Sequence, residues 1–325
     1  QEVPWLLLEN GGNDCFLNAA LQYLRRARDL RGALESRVKP DNLTVDQEKK
    51  ECVLRMLGYM LSRTGRVHPK TFRHSLPTVI RGLEPAFLTT QQDAYEILTK
   101  IFDDVIPEEI ARHFFIESSS RRRCKDQMDC QGREQVQSGA IHYQHIGHQN
   151  QVLDLEALLS DEWAVVDGEN EPRHCSACCE CCLAAEYDHE YDKCEICKAL
   201  KRPYVEEQRF RFIGDSRYAL VAFNILHANQ RVDWALAPNC DMDGMKLMGR
   251  RWKAVAVIKH IGHAGENWSA GHYVSYTRED DGRWWLHNDD ALPGSVAKYR
   301  HFSGYRYTPG ATDMQGVLAI LFQKI

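Results

Sequence analysis

The chain has 325 residues, with 41 lysines and arginines against 46 aspartates and glutamates, a formal net charge of −5. That length excludes a disulfide-stapled miniprotein and suffices for a full core. A hydrophobic share of 43% with 27% charged residues excludes a disordered chain, and the acidic balance argues against a protein that coats nucleic acid. The longest apolar runs, Leu6–Leu8 and Gly316–Phe322, fall far short of the ~20 residues of a spanning helix, so no membrane segment and no signal peptide are expected. The first residue is Gln1, as expected of a fragment of a longer protein.

In chain order, Phe16, Leu17, Ala20, Leu21 and Leu24 recur at helical spacing, with Asn13 or Asp14 placed to cap the helix and Arg25–Arg31 to carry it into solvent. Cys52–Leu61 is expected to form another helix. A third is expected over Gln92–Val105, where Ala94, Ile97, Leu98, Ile101, Phe102 and Val105 make an apolar stripe. From Ser118 to about Glu207 the chain is rich in cysteine and basic residues, with few positions able to fill a core. Short β-prone runs then follow at Tyr218–Leu226, Ala254–His260, His272–Thr277, Arg283–His287 and Val317–Phe322, with turns at Asp281-Gly282 and Pro293-Gly294. Helices first, a cysteine-rich insert and then an antiparallel sheet predict an α+β fold.

Seven of the twelve cysteines fall within Cys175–Cys197, including two C-x-x-C pairs. This clustering points to zinc in a reducing compartment, cytoplasm or nucleus, rather than to disulfides. Cys15 stands apart. It follows a Gly-Gly turn at the start of an amphipathic helix, where unpaired N–H groups favour a thiolate, the nucleophilic form. A nucleophile needs a base, and His272 follows Gly271 at the start of a strand. Asp289 and Asp290 come seventeen and eighteen residues later, across a hairpin long enough to return them to His272. Asn10 carries an amide suited to an oxyanion.

Together these residues form a pattern. The run Asn10-Gly-Gly-Asn-Asp-Cys15-Phe-Leu-Asn18-Ala-Ala-Leu21-Gln22 resembles the Cys box of the ubiquitin-specific proteases. Gln91-Gln92-Asp93-Ala94-Tyr-Glu96-Ile-Leu98 is similar to that family's second signature. His260-Ile-Gly262, Gly271-His272-Tyr273-Val-Ser-Tyr276 and Trp285-Leu-His-Asn-Asp289-Asp290 resemble its His box. Val317–Phe322 resembles its last core strand. The matches run through nearly the whole chain in the family's order.

The resemblance implies a single papain-like cysteine peptidase domain. Its helical thumb would span 1–115, zinc-binding fingers 116–215 and the palm 216–325. It implies cleavage after the C-terminal glycine of ubiquitin, or of another ubiquitin-like modifier, through a thioester. Cys15 matches the nucleophile, His272 the base, Asp289 the third triad position, Asp290 its acidic neighbour and Asn10 the oxyanion amide. Gln92 and Asp93 match positions that hold ubiquitin's basic tail, and Gly262–Gly271 a loop over the site.

Zinc is expected to be structural. The local spacing selects Cys175, Cys178, Cys194 and Cys197 as ligands. The family's register instead pairs Cys124 and Cys130 with either Cys175/Cys178 or Cys194/Cys197. His174, Cys179, Cys181 and Cys182 are spare ligands. Asp14 stands where the family usually has Thr, and a carboxylate beside the nucleophile is expected to disfavour the thiolate. Phe16 replaces a common Tyr, and Asn224-Ile-Leu-His-Ala replaces a usual palm strand sequence. A non-catalytic ubiquitin-binding scaffold is the alternative. A zinc-ribbon nucleic-acid module rests only on Arg121-Arg122-Arg123.

Overall fold

The computed structural model describes residues 6–124, 133–146, 151–165, 204–227, 230–238, 240–262, 271–289 and 316–325. Strand β1 (Leu6–Leu8) leads through a Gly-Gly loop into helix α1 (Cys15–Leu24), all ten of whose residues are buried. A helix apolar nearly all round must be covered all round, and α1 packs against β-strands on one side and helices on the other. It stops at Leu24 rather than running on through the arginines. Arg26 turns onto Glu279 at 2.9 Å, and a separate helix, α2 (Arg28–Glu35), follows.

Helix α3 (Val45–Ser62) begins seven residues before the expected Cys52. A capping box explains this: the Thr44 hydroxyl accepts from the Gln47 N–H, and the Thr44 N–H donates to the Gln47 side chain. Strand β2 (Gly65–Val67) pairs in parallel with β1, and α4 (Lys70–Ser75) follows. The helix expected over Gln92–Val105 forms in two pieces. Asp93 caps α5 (Ala94–Lys100), and a wider π-type turn over Ile101–Val105 keeps Ile101, Phe102 and Val105 in the core. Helix α6 (Glu108–Ala111) ends this helical part.

The strands come next: β3 (Ile116–Cys124), β4 (Arg133–Gly139), β5 (Ile141–His145) and β6 (Gln151–Leu153). After α7 (Leu155–Leu158) follow β7 (Ala164–Val165), β8 (Tyr204–Phe212) and β9 (Tyr218–Asn224). The remainder are β10 (Leu226–His227), β11 (Gln230–Arg231), β12 (Trp234–Leu236), β13 (Met245–Leu247), β14 (Arg250–Ile261), β15 (His272–Arg278), β16 (Trp284–His287) and β17 (Val317–Lys324).

The central sheet has the order β16-β15-β14-β17-β9-β5, with β13 also on β14. Its pairs are antiparallel except β5 with β9. Strands β9 and β17 are buried almost end to end and so read as continuous apolar runs, as strands covered on both faces do. Helix α1 lies on β14 and β15, and α5 touches β17. One apolar core therefore joins helices to sheet.

A second sheet, β4-β3-β8-β7, is held by polar contacts. Arg121 donates to the buried Glu207 at 2.7 Å, and the Arg121 and Arg209 guanidinium groups lie 4.0 and 4.4 Å from the Trp163 ring centre. Arg121 thus serves the protein's own structure, which removes it as support for nucleic-acid binding. Cys124 closes β3 opposite Tyr204, the first residue of β8, so the two lie at the same end of this sheet. Cys130, Cys175, Cys178, Cys194 and Cys197 lie outside the described residues, as do His174, Cys179, Cys181, Cys182 and Asp290. Among the described residues no cluster of His, Cys, Asp and Glu is placed to hold a metal, and no helix is long and apolar enough to cross a membrane.

Candidate active site

Three elements meet at the start of α1. Cys15 is the first residue of α1, His272 the first of β15, and Asp289 lies two residues past β16. Strands β15 and β16 pair with Ser275 opposite His287, so the hairpin returns Asp289 to the end of the sheet where β15 begins. His272 Nε2 lies 2.8 Å from Asn288 Oδ1 and 3.5 Å from Asp289 Oδ1. Two oxygens facing Nε2 favour the tautomer with its proton there and a lone pair on Nδ1. Asn288 is the tighter partner, and sequence reasoning gave it no role.

Asp289 is also tied to α1. The Asn18 amide donates to Asp289 Oδ2 and to the Glu9 carbonyl, the latter at 3.3 Å. Asn18 lies one turn after Cys15 on α1, and that i, i+3 spacing is the signal that could have marked it. Burial pushes the Asp289 carboxyl up to about 6, against the opposing effects of the Asn18 hydrogen bond and His272.

The nucleophile corrects one expectation. Burial pushes the Cys15 thiol up to about 11, with the Asp289 charge adding to the rise and the Tyr273 N–H opposing it. Desolvation therefore outweighs the helix N-terminus, and the resting group is a thiol. Its hydrogen-bond partner is the Gln91 side-chain oxygen, at 3.8 Å. The Gln91 amide nitrogen is buried and has no hydrogen-bond partner among the described residues. Of the Gln-Gln-Asp run, then, Gln91 sits beside Cys15, while the half-buried Gln92 turns to the Thr90 hydroxyl at 2.7 Å.

Asp93 Oδ1 accepts from the Tyr95 N–H at 2.7 Å, capping α5, and burial pushes its carboxyl up to about 6. Its charge in turn raises Tyr273, the neighbour of His272, although burial is the larger cause there. The tail-binding candidate is thus a neighbour of β15, the strand that His272 begins.

Asp14 neither caps α1 with its side chain nor stands as a lone charge beside Cys15. It is 3% exposed, paired with the equally buried Arg73, and accepts from the Gly11 N–H at 2.9 Å. Asn10 Oδ1 accepts from the N–H groups of Gly12, at 3.0 Å, and Asp14, at 3.2 Å. Its oxygen is spent on the loop, which leaves its NH₂ group as the donor.

Gly271 enters β15 at φ +123°, and a Cβ there would lie 2.6 Å from both the His260 ring and the Ile261 carbonyl oxygen. Glycine is required at that position by both the dihedral and the space.

The sequence profile of the family described as ubiquitin carboxyl-terminal hydrolase matches residues 7–305. No curated protein sequence matches the chain. Among solved structures, the SAGA deubiquitinating module, Ubp8 with Sgf11, Sus1 and Sgf73 bound to monoubiquitin, is similar with a TM-score of 0.62 at 13% identity. The match covers 98% of this chain and 68% of that one, and it shows a shared papain-like arrangement of helices and sheet. With the family profile running through the Cys and His boxes alike, the chain belongs to the ubiquitin carboxyl-terminal hydrolase family and is an enzyme of that class.

Proposed function

We propose that the chain hydrolyses the peptide or isopeptide bond after the C-terminal glycine of ubiquitin through Cys15, His272 and Asp289. The observation that carries this is the His272 Nε2 contact to Asn288 and Asp289, with Asp289 bound in turn to Asn18 of the helix that Cys15 begins. His272 Nδ1 takes the thiol proton, and the thiolate attacks the glycine carbonyl. The Asn10 NH₂ group stabilises the oxyanion. His272 returns the proton to the departing amine, leaving a thioester. His272 then activates water to release the free carboxylate and the thiol. Asp289 and Asn288 hold the imidazole and stabilise its charged form, and Asp290 is the neighbouring acidic group. Asp93, with Gln92 beside it, is placed to pair with an extended basic tail.

A ubiquitin probe with a C-terminal thiol-reactive group tests this reading by intact mass. Wild type is expected to gain one probe mass, and Cys15→Ala none. An adduct only with another modifier's probe would keep the chemistry and change the substrate. Binding of ubiquitin without any adduct would support the scaffold reading instead, which a thiol held near 11 makes worth testing.

Zinc belongs to the same reading as a structural ion in the fingers. Thiolates in C-x-x-C pairs suit tetrahedral zinc, and β3 and β8 bring the two ends of the cysteine-rich segment together at Cys124 and Tyr204. Cys124, Cys130, Cys175, Cys178, Cys194 and Cys197 are the candidate ligands. Metal analysis of the purified chain is expected to find at least one zinc per molecule; a value near zero would remove the ion from the account. Cys15, Cys52 and Cys240 are free thiols, which suits a reducing cytoplasm or nucleus.

A further inference from the structure

Arg73 of α4 is 2% exposed and lies at the centre of a dense set of contacts. Its Nη1 donates to the carbonyls of Gly12, at 3.4 Å, and Asn13, at 3.1 Å, and to Asp14 Oδ1. Its Nε donates to the Phe87 carbonyl at 3.0 Å, and its Nη2 to Phe87 again and to the Thr90 carbonyl at 2.8 Å. The guanidinium lies 5.2 and 5.4 Å from the ring centres of Phe16 and Phe87, which meet edge to face. All of these acceptors except the Phe87 carbonyl lie next to residues of the proposed site. Gly12, Asn13 and Asp14 are the three residues before Cys15. Thr90 precedes Gln91, whose side-chain oxygen faces the Cys15 sulfur.

The peptide plane carries the consequence further. In a trans peptide the C=O and the following N–H point opposite ways. With the Asn13 carbonyl turned to Arg73, the Asp14 N–H faces away, onto Asn10 Oδ1. Gly12 and Asn13 hold positive φ, +98° and +57°; glycine adopts this freely, whereas for Asn13 it is sparsely populated and is favoured by the contacts around it. Arg73 supplies such a contact, and through it the orientation of the Asn10 amide is set.

We propose that Arg73 is a positioning residue for the nucleophile, and that the Asp14–Arg73 pair is a matched charge device. Arg73 holds the loop before Cys15 and the residue before Gln91, and its cation offsets the carboxylate that stands where the family has Thr. The proposal rests on Cys15 being the nucleophile. The two partners are unequal in hydrogen bonds, although removing either leaves the other's charge uncompensated. Without Asp14, Arg73 keeps four carbonyl acceptors. Without Arg73, Asp14 is left as an unpaired buried charge beside the thiol, the costly arrangement.

The groups around Cys15 are Asp14 and Asn18 on its own segment, Arg73 on α4, and Gln91 and Asp93 before α5. His272 and Tyr273 of β15 and Asp289 after β16 complete them among the described residues, and the His68 ring lies near Asp14 at the Gly11 loop. Only Asp14 and Arg73 change in the test. Alkylation of Cys15 by iodoacetamide at pH 8.5, followed on the Cys15 peptide by mass spectrometry, reads the thiol without any ubiquitin. Arg73→Met is expected to slow alkylation about tenfold, as one uncompensated charge nearby would. Asp14→Asn, which keeps the shape, is expected to speed it severalfold, and the double variant to return to within about threefold of wild type.

With a ubiquitin substrate, Arg73→Met is expected to lower kcat with little change in KM, and Arg73→Lys to restore alkylation but not full kcat, because it lacks the fork. Equal slowing in Arg73→Met and the double variant would make Arg73 a structural residue only and overturn the proposal. Should Arg73→Met fail to fold, Asp14→Asn decides alone: faster alkylation supports the pair, and an unchanged or slower rate overturns it. Loss of ubiquitin hydrolysis in wild type with the alkylation pattern intact would sink the proposed substrate and leave the charge device standing.

Discussion

Asn10, the proposed oxyanion donor, is anchored by the other end of its side chain. Its oxygen is bound by the Gly12 and Asp14 N–H groups, so its NH₂ group is held in place before any substrate arrives. Donors fixed in advance are those that stabilise an oxyanion without reorganisation, and losing one costs about 10²–10³ in kcat in other acyl-transfer enzymes. Asn10→Ala is expected to fall in that range, read by steady-state hydrolysis of a fluorogenic ubiquitin substrate, with KM changing less than about threefold. Cys15, His272, Asp289 and Asn10 could be named as candidates from the sequence because the chemistry proposed for them is carried by residue type within a recognisable run. Asn18, Asn288 and Gln91 sit in the same runs but were silent. Their roles come from partners 271, 16 and 76 positions away, which residue type alone does not reveal.

Among elements, the β15–β16 hairpin does most to assemble the site. It carries His272 at its start and leads to Asn288 and Asp289 at its end, so their separation follows from strand register. Its turn is tied to the helices, Arg26 to Glu279 and Arg28 to Asp280. Its entry depends on Gly271. Gly271→Ala would combine an unfavourable φ with a Cβ driven into His260 and the Ile261 carbonyl. Displacing a catalytic group by ~1 Å can cost about 10²-fold. Gly271→Ala is therefore expected to lose about that much in kcat/KM while keeping a cooperative thermal transition; full activity in this variant would show that the approach to His272 tolerates movement. The strand and its hairpin were readable from short β-prone runs and the Asp281-Gly282 turn. The π-type turn at Ile101–Val105 was not, because the apolar spacing there reads equally well as regular helix.

At the scale of the whole molecule, the core encloses polar groups as well as apolar ones. His287 is buried on β16, its Nε2 2.7 Å from the Thr277 hydroxyl, and burial lowers it to about 3, with Arg25 and Arg26 adding to the effect. In the unfolded chain the same ring titrates near 6.5. The folded state therefore cannot take a proton that the unfolded state accepts as pH falls below 6.5. Its contribution to stability is whole above that value and is lost progressively towards pH 3. Between pH 6.5 and 4 this linkage amounts to about 3 kcal/mol. Thermal melts are expected to be flat above about pH 7 and to drop below it, and His287→Gln to flatten the drop. An unchanged acid slope in that variant would assign the effect to other groups, with His142, lowered by burial to about 4, the next to test.

By itself the sequence determined the α+β order and the family, and it named the candidate nucleophile, base and acid, since each rests on local periodicity or on residue type at a set spacing. Only the tertiary structure decided the protonation of Cys15 and the fate of Asp14. A helix N-terminus and a neighbouring carboxylate were both visible in the sequence, and each suggested a shift in the thiol. The outcome turned on quantities that sequence does not carry. One is how completely the sulfur is withdrawn from water. The other is which cation, 59 positions away on another helix, lies against the carboxylate. Desolvation and charge pairing act through space, and space is set by the fold.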